Sequence, residues 1–143
     1  MEKSFIGAVA RQSGVPIKTI RYYEEEGLLP RPSRTASGYR LYDPGAVDRL
    51  RFIKQAQELG LRLDAIREIL DLADRGHCPC GHVQQRLKAR LQELRQKIAS
   101  LRALERRLLH ARRRRCPPSF RPQGQAICPT IQGHNMTKGG EDR

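Results

Sequence analysis

Apolar residues recur at alternating three- and four-residue steps through Leu87, Leu91, Leu94, Ile98, Leu101 and Leu108, with Arg, Lys, Gln and Glu at most positions between them. That spacing is the a/d seam of a two-helix coiled coil, and it predicts one long helix over 81–115. A single apolar stripe cannot be buried by the helix that carries it. The seam therefore predicts a partner helix, most economically the same helix of a second subunit in a homodimer. Its repeat breaks at Glu105, where Leu104 stands beside the stripe.

Upstream the pattern shortens. Ile6, Val9 and Ala10 precede Ser13-Gly14-Val15-Pro16, and Ile17 and Ile20 resume the apolar face after it, which predicts a helix, a tight turn and a second short helix. Thr19, Arg21, Tyr22 and Tyr23 place hydrogen-bond donors for phosphates or base edges on the second of these helices, although either tyrosine equally suits a core ring. Glu24, Glu25 and Glu26 read as a solvated helix end. From Arg31 to Tyr42 the chain turns at Ser37-Gly38 and alternates apolar with polar groups, predicting a small β-hairpin, or wing, with arginines on its rim. Val47, Leu50, Ile53 and Ala56, then Leu63, Ile66, Ile69 and Leu70, predict two further helices with core-facing stripes, and Asp64 suits the N-terminus of the second.

Charge adds a partner class. The 143 residues carry a formal net charge of +13 with a pI near 10.5, which favours a polyanion, and no apolar run has the length to span a membrane. The excess is uneven: residues 1–76 hold 13 basic against 11 acidic side chains, and residues 77–143 hold 15 against 4. No apolar leader follows Met1-Glu2-Lys3-Ser4, so the expected compartment is the reducing cytoplasm. There, four cysteines are read as metal ligands or redox thiols rather than as a disulfide framework.

Cys78 and Cys80 precede the long helix in His77-Cys78-Pro79-Cys80-Gly81-His82. Cys116, before Pro117-Pro118, ends it, and Cys128 follows a loop. Thiolates with imidazoles select mercury, zinc, cadmium or lead over magnesium or calcium. The spacing is not a zinc ribbon. The 36-residue step from Cys80 to Cys116 spans about 50 Å as helix, at about 1.5 Å per residue, too far for one chain to close a site with both. Two antiparallel chains bring Cys80 of one beside Cys116 and Cys128 of the other. Arg112 to Arg115 set positive charge beside Cys116, and His77, His82, His110 and His134 are possible extra ligands. Residues 133–143 are polar and Gly-rich and read as a disordered tail.

Four blocks then occur in a characteristic order: Ile20-Arg21-Tyr22-Tyr23-Glu24 with Gly27-Leu28-Leu29; Gly38-Tyr39-Arg40-Leu41-Tyr42; Val47-Asp48-Arg49-Leu50-Arg51-Phe52-Ile53; and Leu59-Gly60. Together they resemble the signature of the MerR family of transcriptional regulators. The resemblance implies a mainly α fold: a winged helix-turn-helix DNA-binding domain over 1–75 with a second helix pair at about 43–59 and 63–74, a long antiparallel coiled-coil dimerisation helix over 76–115, and a C-terminal metal-binding loop over 116–132. It implies DNA contacts from Thr19, Arg21, Tyr22 and Tyr23, and from Arg34, Tyr39 and Arg40 on the wing, with Lys18 and Arg31 beside them. It further implies metal ligands among Cys78, Cys80, Cys116 and Cys128, in the branch of the family that responds to divalent heavy metals. Such a homodimer binds double-stranded promoter DNA and, with a thiophilic divalent ion (Hg, Zn, Cd or Pb) as effector, distorts it so that RNA polymerase engages. The 12-residue step from Cys116 to Cys128 is longer than the resemblance leads one to expect for the zinc and mercury members. A thiol-redox regulator using the same cysteines without metal is the alternative. No acid/base pair or phosphate-binding glycine loop suggests an enzyme.

Overall fold

In the computed structural model, which describes residues 2–133, the elements run β1 (Ser4–Phe5), α1 (Ile6–Ser13), α2 (Ile17–Glu25), β2 (Ser33–Arg34), β3 (Arg40–Tyr42), α3 (Gly45–Glu58), α4 (Leu63–Asp74), α5 (Cys80–Arg113) and α6 (Pro129–Gln132). The expected disordered tail, apart from Gly133, and the candidate ligand His134 lie outside the described residues. The mainly α character and the helix-turn-helix, wing and long helix agree with the sequence reading. Contacts divide the chain into two compact units, with the boundary between Leu91 and Gln92 inside α5.

In the first unit, α1 stops at Gly14, whose φ of 71° lets its N–H reach the Ala10 carbonyl. Buried Ser13 accepts the Val15 N–H at 3.2 Å, and Pro16 then starts α2 on a new axis. The predicted hairpin is present as β2 paired antiparallel with β3, and a third strand joins it. The N-terminal β1 pairs antiparallel with β3, giving a three-stranded sheet of order β1-β3-β2 with Phe5 opposite Leu41 and Arg34 opposite Arg40. At its tip Gly38, at φ 86°, donates to the Thr35 carbonyl, and Thr35 Oγ1 accepts from Tyr39 N–H.

The core gathers Val9, Val15, Ile20, Tyr23, Leu28, Leu29, Tyr42, Leu50, Ile53, Ala56, Ile66 and Leu70 from α1 to α4 and the sheet. The predicted stripes of α3 and α4 thus face inward, with Val47 and Leu63 packed at the edge. α3 begins at Gly45, two residues after Asp43, with Pro44, whose φ of -55° is already helical, directly before it. Arg49 on α3 donates through Nε to the Leu28 carbonyl at 2.6 Å and through both other nitrogens to Asp74, at 2.6 and 3.0 Å. That bidentate contact holds the Asp74 carboxyl below its usual range. Ile66 is fully buried, so Ile66→Ala is expected to lower stability by about 2–5 kcal/mol, read as a lower urea midpoint with unchanged slope.

No residue of α5 is buried. Leu91, Leu94, Ile98, Leu101 and Leu108 are exposed as a stripe, with Leu104 and Leu109 beside it. In the second unit the segment after α5 folds back on its start. Thr130 Oγ1 donates to the Arg114 carbonyl at 3.4 Å, and Gln123 and Ala126 form an isolated bridge.

Candidate functional site

Helical spacing sorts the residues of α2. Ile20 and Tyr23, three apart, enter the core, while Lys18, Arg21, Tyr22 and Glu25 share the outward face. Among the described residues Lys18 and Arg21 have no hydrogen-bond or ion-pair partner, so their donors face outward unspent. Tyr22 is exposed beside them and Thr19 half-buried.

Tyr23 departs from its expected role. It is 4% exposed, and its hydroxyl donates to Gln57 Oε1 on α3; burial pushes the phenol above its ordinary pKa. The ring is a core residue that braces the helix carrying the contacts. One residue is a turn of 100°, so Tyr22 and Tyr23 cannot share a face.

The acidic triplet also departs from the expected solvated end. Glu24 accepts from the Tyr42 hydroxyl and pairs with Arg40 Nε at 3.2 Å. Burial, then the hydrogen bond to Glu24, raises the Tyr42 pKa well beyond that of an ordinary phenol. Glu26 pairs with Arg67 of α4. Arg40, predicted as a DNA contact, is thus half-buried and held by Glu24, so the guanidinium is oriented before any ligand arrives. Arg34 Nη1 donates to the Gly38 carbonyl at 2.8 Å, and Tyr39 is 67% exposed at the wing tip. Arg31 and Arg34 line a cleft of about 300 Å³ with Glu24, Glu25, Pro32 and Arg40. One face therefore presents planar donors from the helix and the wing, the chemistry that binds phosphate oxygens and base edges.

The cysteines occupy two segments. Cys80 is the first residue of α5, with Cys78 in the loop before it, both exposed and both free thiols. The Cys80 backbone N–H, then the Cys80 side chain, lowers the Cys78 pKa, and Cys78 in turn raises that of Cys80. In the other segment Cys116 is exposed and Cys128 half-buried. The N–H groups of Ile131 and Thr130 lower the Cys128 pKa, favouring its thiolate. Gln132 positions that sulfur: its Oε1 accepts from the N–H of Ile127 and of Cys128 at 2.7 and 2.8 Å, and its Nε2 donates to the Gln125 carbonyl. Gln132 and Thr130 were not legible as site residues, because Gln132 acts on the backbone around Cys128 and Thr130 acts chiefly through its own N–H. Among the described residues no group of three or more His, Cys, Asp or Glu converges on one point. The donor set, soft free thiols with the thiolates of Cys78 and Cys128 favoured, suits a thiophilic ion.

Two family models match the chain. One, "MerR HTH family regulatory protein", covers residues 5–73, and the other, "MerR, DNA binding", covers residues 47–111. The mercuric resistance operon regulatory protein of Bacillus cereus is 42% identical over 112 residues, which are 78% of this chain and 84% of that protein. The lead(II) complex of the transcription regulator PbrR691 from Ralstonia metallidurans CH34 superposes with a TM-score of 0.70 at 36% identity, covering 90% of this chain and 97% of that one. The mercury(II) complex of the dual function transcriptional regulator MerR from Bacillus megaterium MB1 gives 0.58 at 35% identity, covering 86% and 92%.

Proposed function

Because the chain belongs to the MerR family of helix-turn-helix regulators, we propose that its reading heads and its cysteines form one switch: a homodimer that binds promoter DNA and activates transcription when a thiophilic divalent ion is bound. The protein is a metal-responsive, DNA-binding transcription regulator rather than a redox sensor. One observation carries the proposal, an exposed apolar stripe on α5 with Cys80 as the helix's first residue and Cys116 just beyond its last. Antiparallel pairing through that stripe places Cys80 of one subunit beside Cys116 and Cys128 of the other, making two equivalent three-sulfur sites.

Cys80 is the preferred ligand over Cys78 because the helix sets the direction of its side chain. Cys78, in the loop two residues earlier, acts as an outer thiol. Lys18, Thr19, Arg21 and Tyr22 of α2, with Arg34, Tyr39 and Arg40 of the wing, hold the DNA, mostly by its phosphates. An ion shared between subunits binds the dimer geometry that favours activation more tightly than the other, which is the condition for an effector to shift an equilibrium. The activated dimer distorts the promoter so that RNA polymerase engages both of its elements. Among the described residues no helix is long and apolar enough to cross a membrane.

Anaerobic titration of the purified dimer with Hg(II), Pb(II), Cd(II) and Zn(II), run beside transcription in vitro, tests this. The expected result is two ions per dimer and activation by at least one of the four. Activation by peroxide without metal, or transcription indifferent to all four ions, overturns it.

A further inference from the structure

Two adjacent residues of α4 hold two different parts of the molecule. Arg67 Nη2 donates to the Glu26 carbonyl at 2.6 Å and lies 3.3 Å from Glu26 Oε2, at the C-terminal end of α2. A guanidinium there satisfies a carbonyl that the helix itself leaves unpaired and complements the helix dipole. Glu68, one residue on and so turned by 100°, reaches the other way. Its Oε2 lies 2.9 Å from His82 Nε2 and accepts from Arg86 Nη2, both on the opening turns of α5, and His82 is two residues after Cys80.

Burial separates the roles on α4. Ala65, Ile66, Ile69 and Leu70 are buried and hold the helix to the core, whereas Arg67 and Glu68 sit at the rim, with side chains 41% and 50% exposed. Ion pairs as exposed as these contribute only about 0–1 kcal/mol each to stability. They are therefore contacts through which a small displacement can pass without unpacking the apolar face of α4 from the core.

We infer that Arg67 and Glu68 are positioning residues that couple the start of α5, where Cys80 lies, to the C-terminal end of the recognition helix α2. Glu68 makes α4 follow the opening turns of α5, and Arg67 passes that displacement to α2. Neither residue touches DNA or metal. This coupling rests on the proposal that Cys80 is a metal ligand and α2 the reading helix. It adds the path by which the first acts on the second.

The test uses the full-length dimer, the duplex that the wild-type chain selects from a random pool, and that duplex set into a promoter template. Arg67→Gln, Glu68→Gln, their combination, and Arg86→Gln as a second way to break the same contact are compared for three quantities. Metal affinity and metal-free DNA affinity are expected to stay within about twofold of wild type, while the metal-driven gain in transcription falls about three- to tenfold in each single variant. The double variant is expected to lose no more than the worse single one, because two links of one chain do not add. Wild-type gain in Arg67→Gln or in both Glu68→Gln and Arg86→Gln, or losses that multiply in the double variant, overturn the coupling. If the wild-type dimer itself ignores all four ions, the proposed function fails first and the coupling with it; a responsive wild type with equally responsive variants removes the coupling alone.

Discussion

Serine at both Cys80 and Cys116 is expected to leave a folded, DNA-binding dimer that no longer hears metal. Both thiols are exposed, so replacing sulfur with oxygen removes no buried packing and leaves the unfolding midpoint within the small range typical of surface substitutions. A serine hydroxyl is a hard, protonated donor and a poor ligand for mercury, lead or cadmium. Loss of an outer-shell partner alone lowers metal affinity roughly 10–100-fold, and two lost ligands exceed that. Activation should vanish at ion concentrations that saturate the wild type, measured by chelator competition and by transcription. Cys78→Ser, by contrast, is expected to lower affinity only about as much as an outer-shell change. Wild-type affinity in the double serine variant would remove the cysteine site altogether, and a Cys78→Ser effect equal to that of Cys80→Ser would make Cys78 a ligand.

Leu101→Asp should dissociate the dimer. Leu101 is 65% exposed in the isolated chain, and its neighbours along the seam are similarly uncovered. Burying one leucine is worth about 1.5–3 kcal/mol, and in a two-fold dimer each substitution counts twice. The aspartate also places a charge in the contact, so the dissociation constant is expected to rise by at least about a hundredfold, at 1.4 kcal/mol per decade. Because no residue of α5 is buried in the chain's own core, the helix-turn-helix unit is expected to keep its fold. Sedimentation across a concentration series reads the first effect. DNA binding reads the consequence, since a monomer brings one reading head instead of two. A Leu101→Asp protein that sediments as wild type would show that the stripe is not the dimer contact.

Arg40 and Glu24 show how the two predictions connect to the reading face. Arg40 is readable as a phosphate donor from its place in Gly38-Tyr39-Arg40-Leu41-Tyr42, yet nothing in that block says what orients it. Glu24, which looks electrostatically wrong for DNA, is the group that does so, fixing one guanidinium and one phenol under the wing. The same acidic triplet supplies Glu26 to Arg67, so two of three residues that read as solvated helix end are structural.

What the chain's own order of residues determined was local and periodic. The three- and four-residue steps placed α3, α4 and α5, Gly14 and Pro16 punctuated the helix-turn-helix, and the signature blocks pointed to the family. These signals survive in one dimension because helix periodicity and backbone restriction act within a few residues. The rest required residues far apart in sequence to meet. Strand β1 joined the wing because an edge of β3 was open to it, a pairing across 38 residues that no local pattern announces. Tyr23 turned inward and Tyr22 outward because Ile20 and the α3 face decided which side of α2 met the core. Arg67 and Glu68 took opposite partners because packing of Ile66, Ile69 and Leu70 set the rotation of α4. In each case the side chain's type was legible but its direction was not, since direction follows from the packing of elements and not from the chain alone.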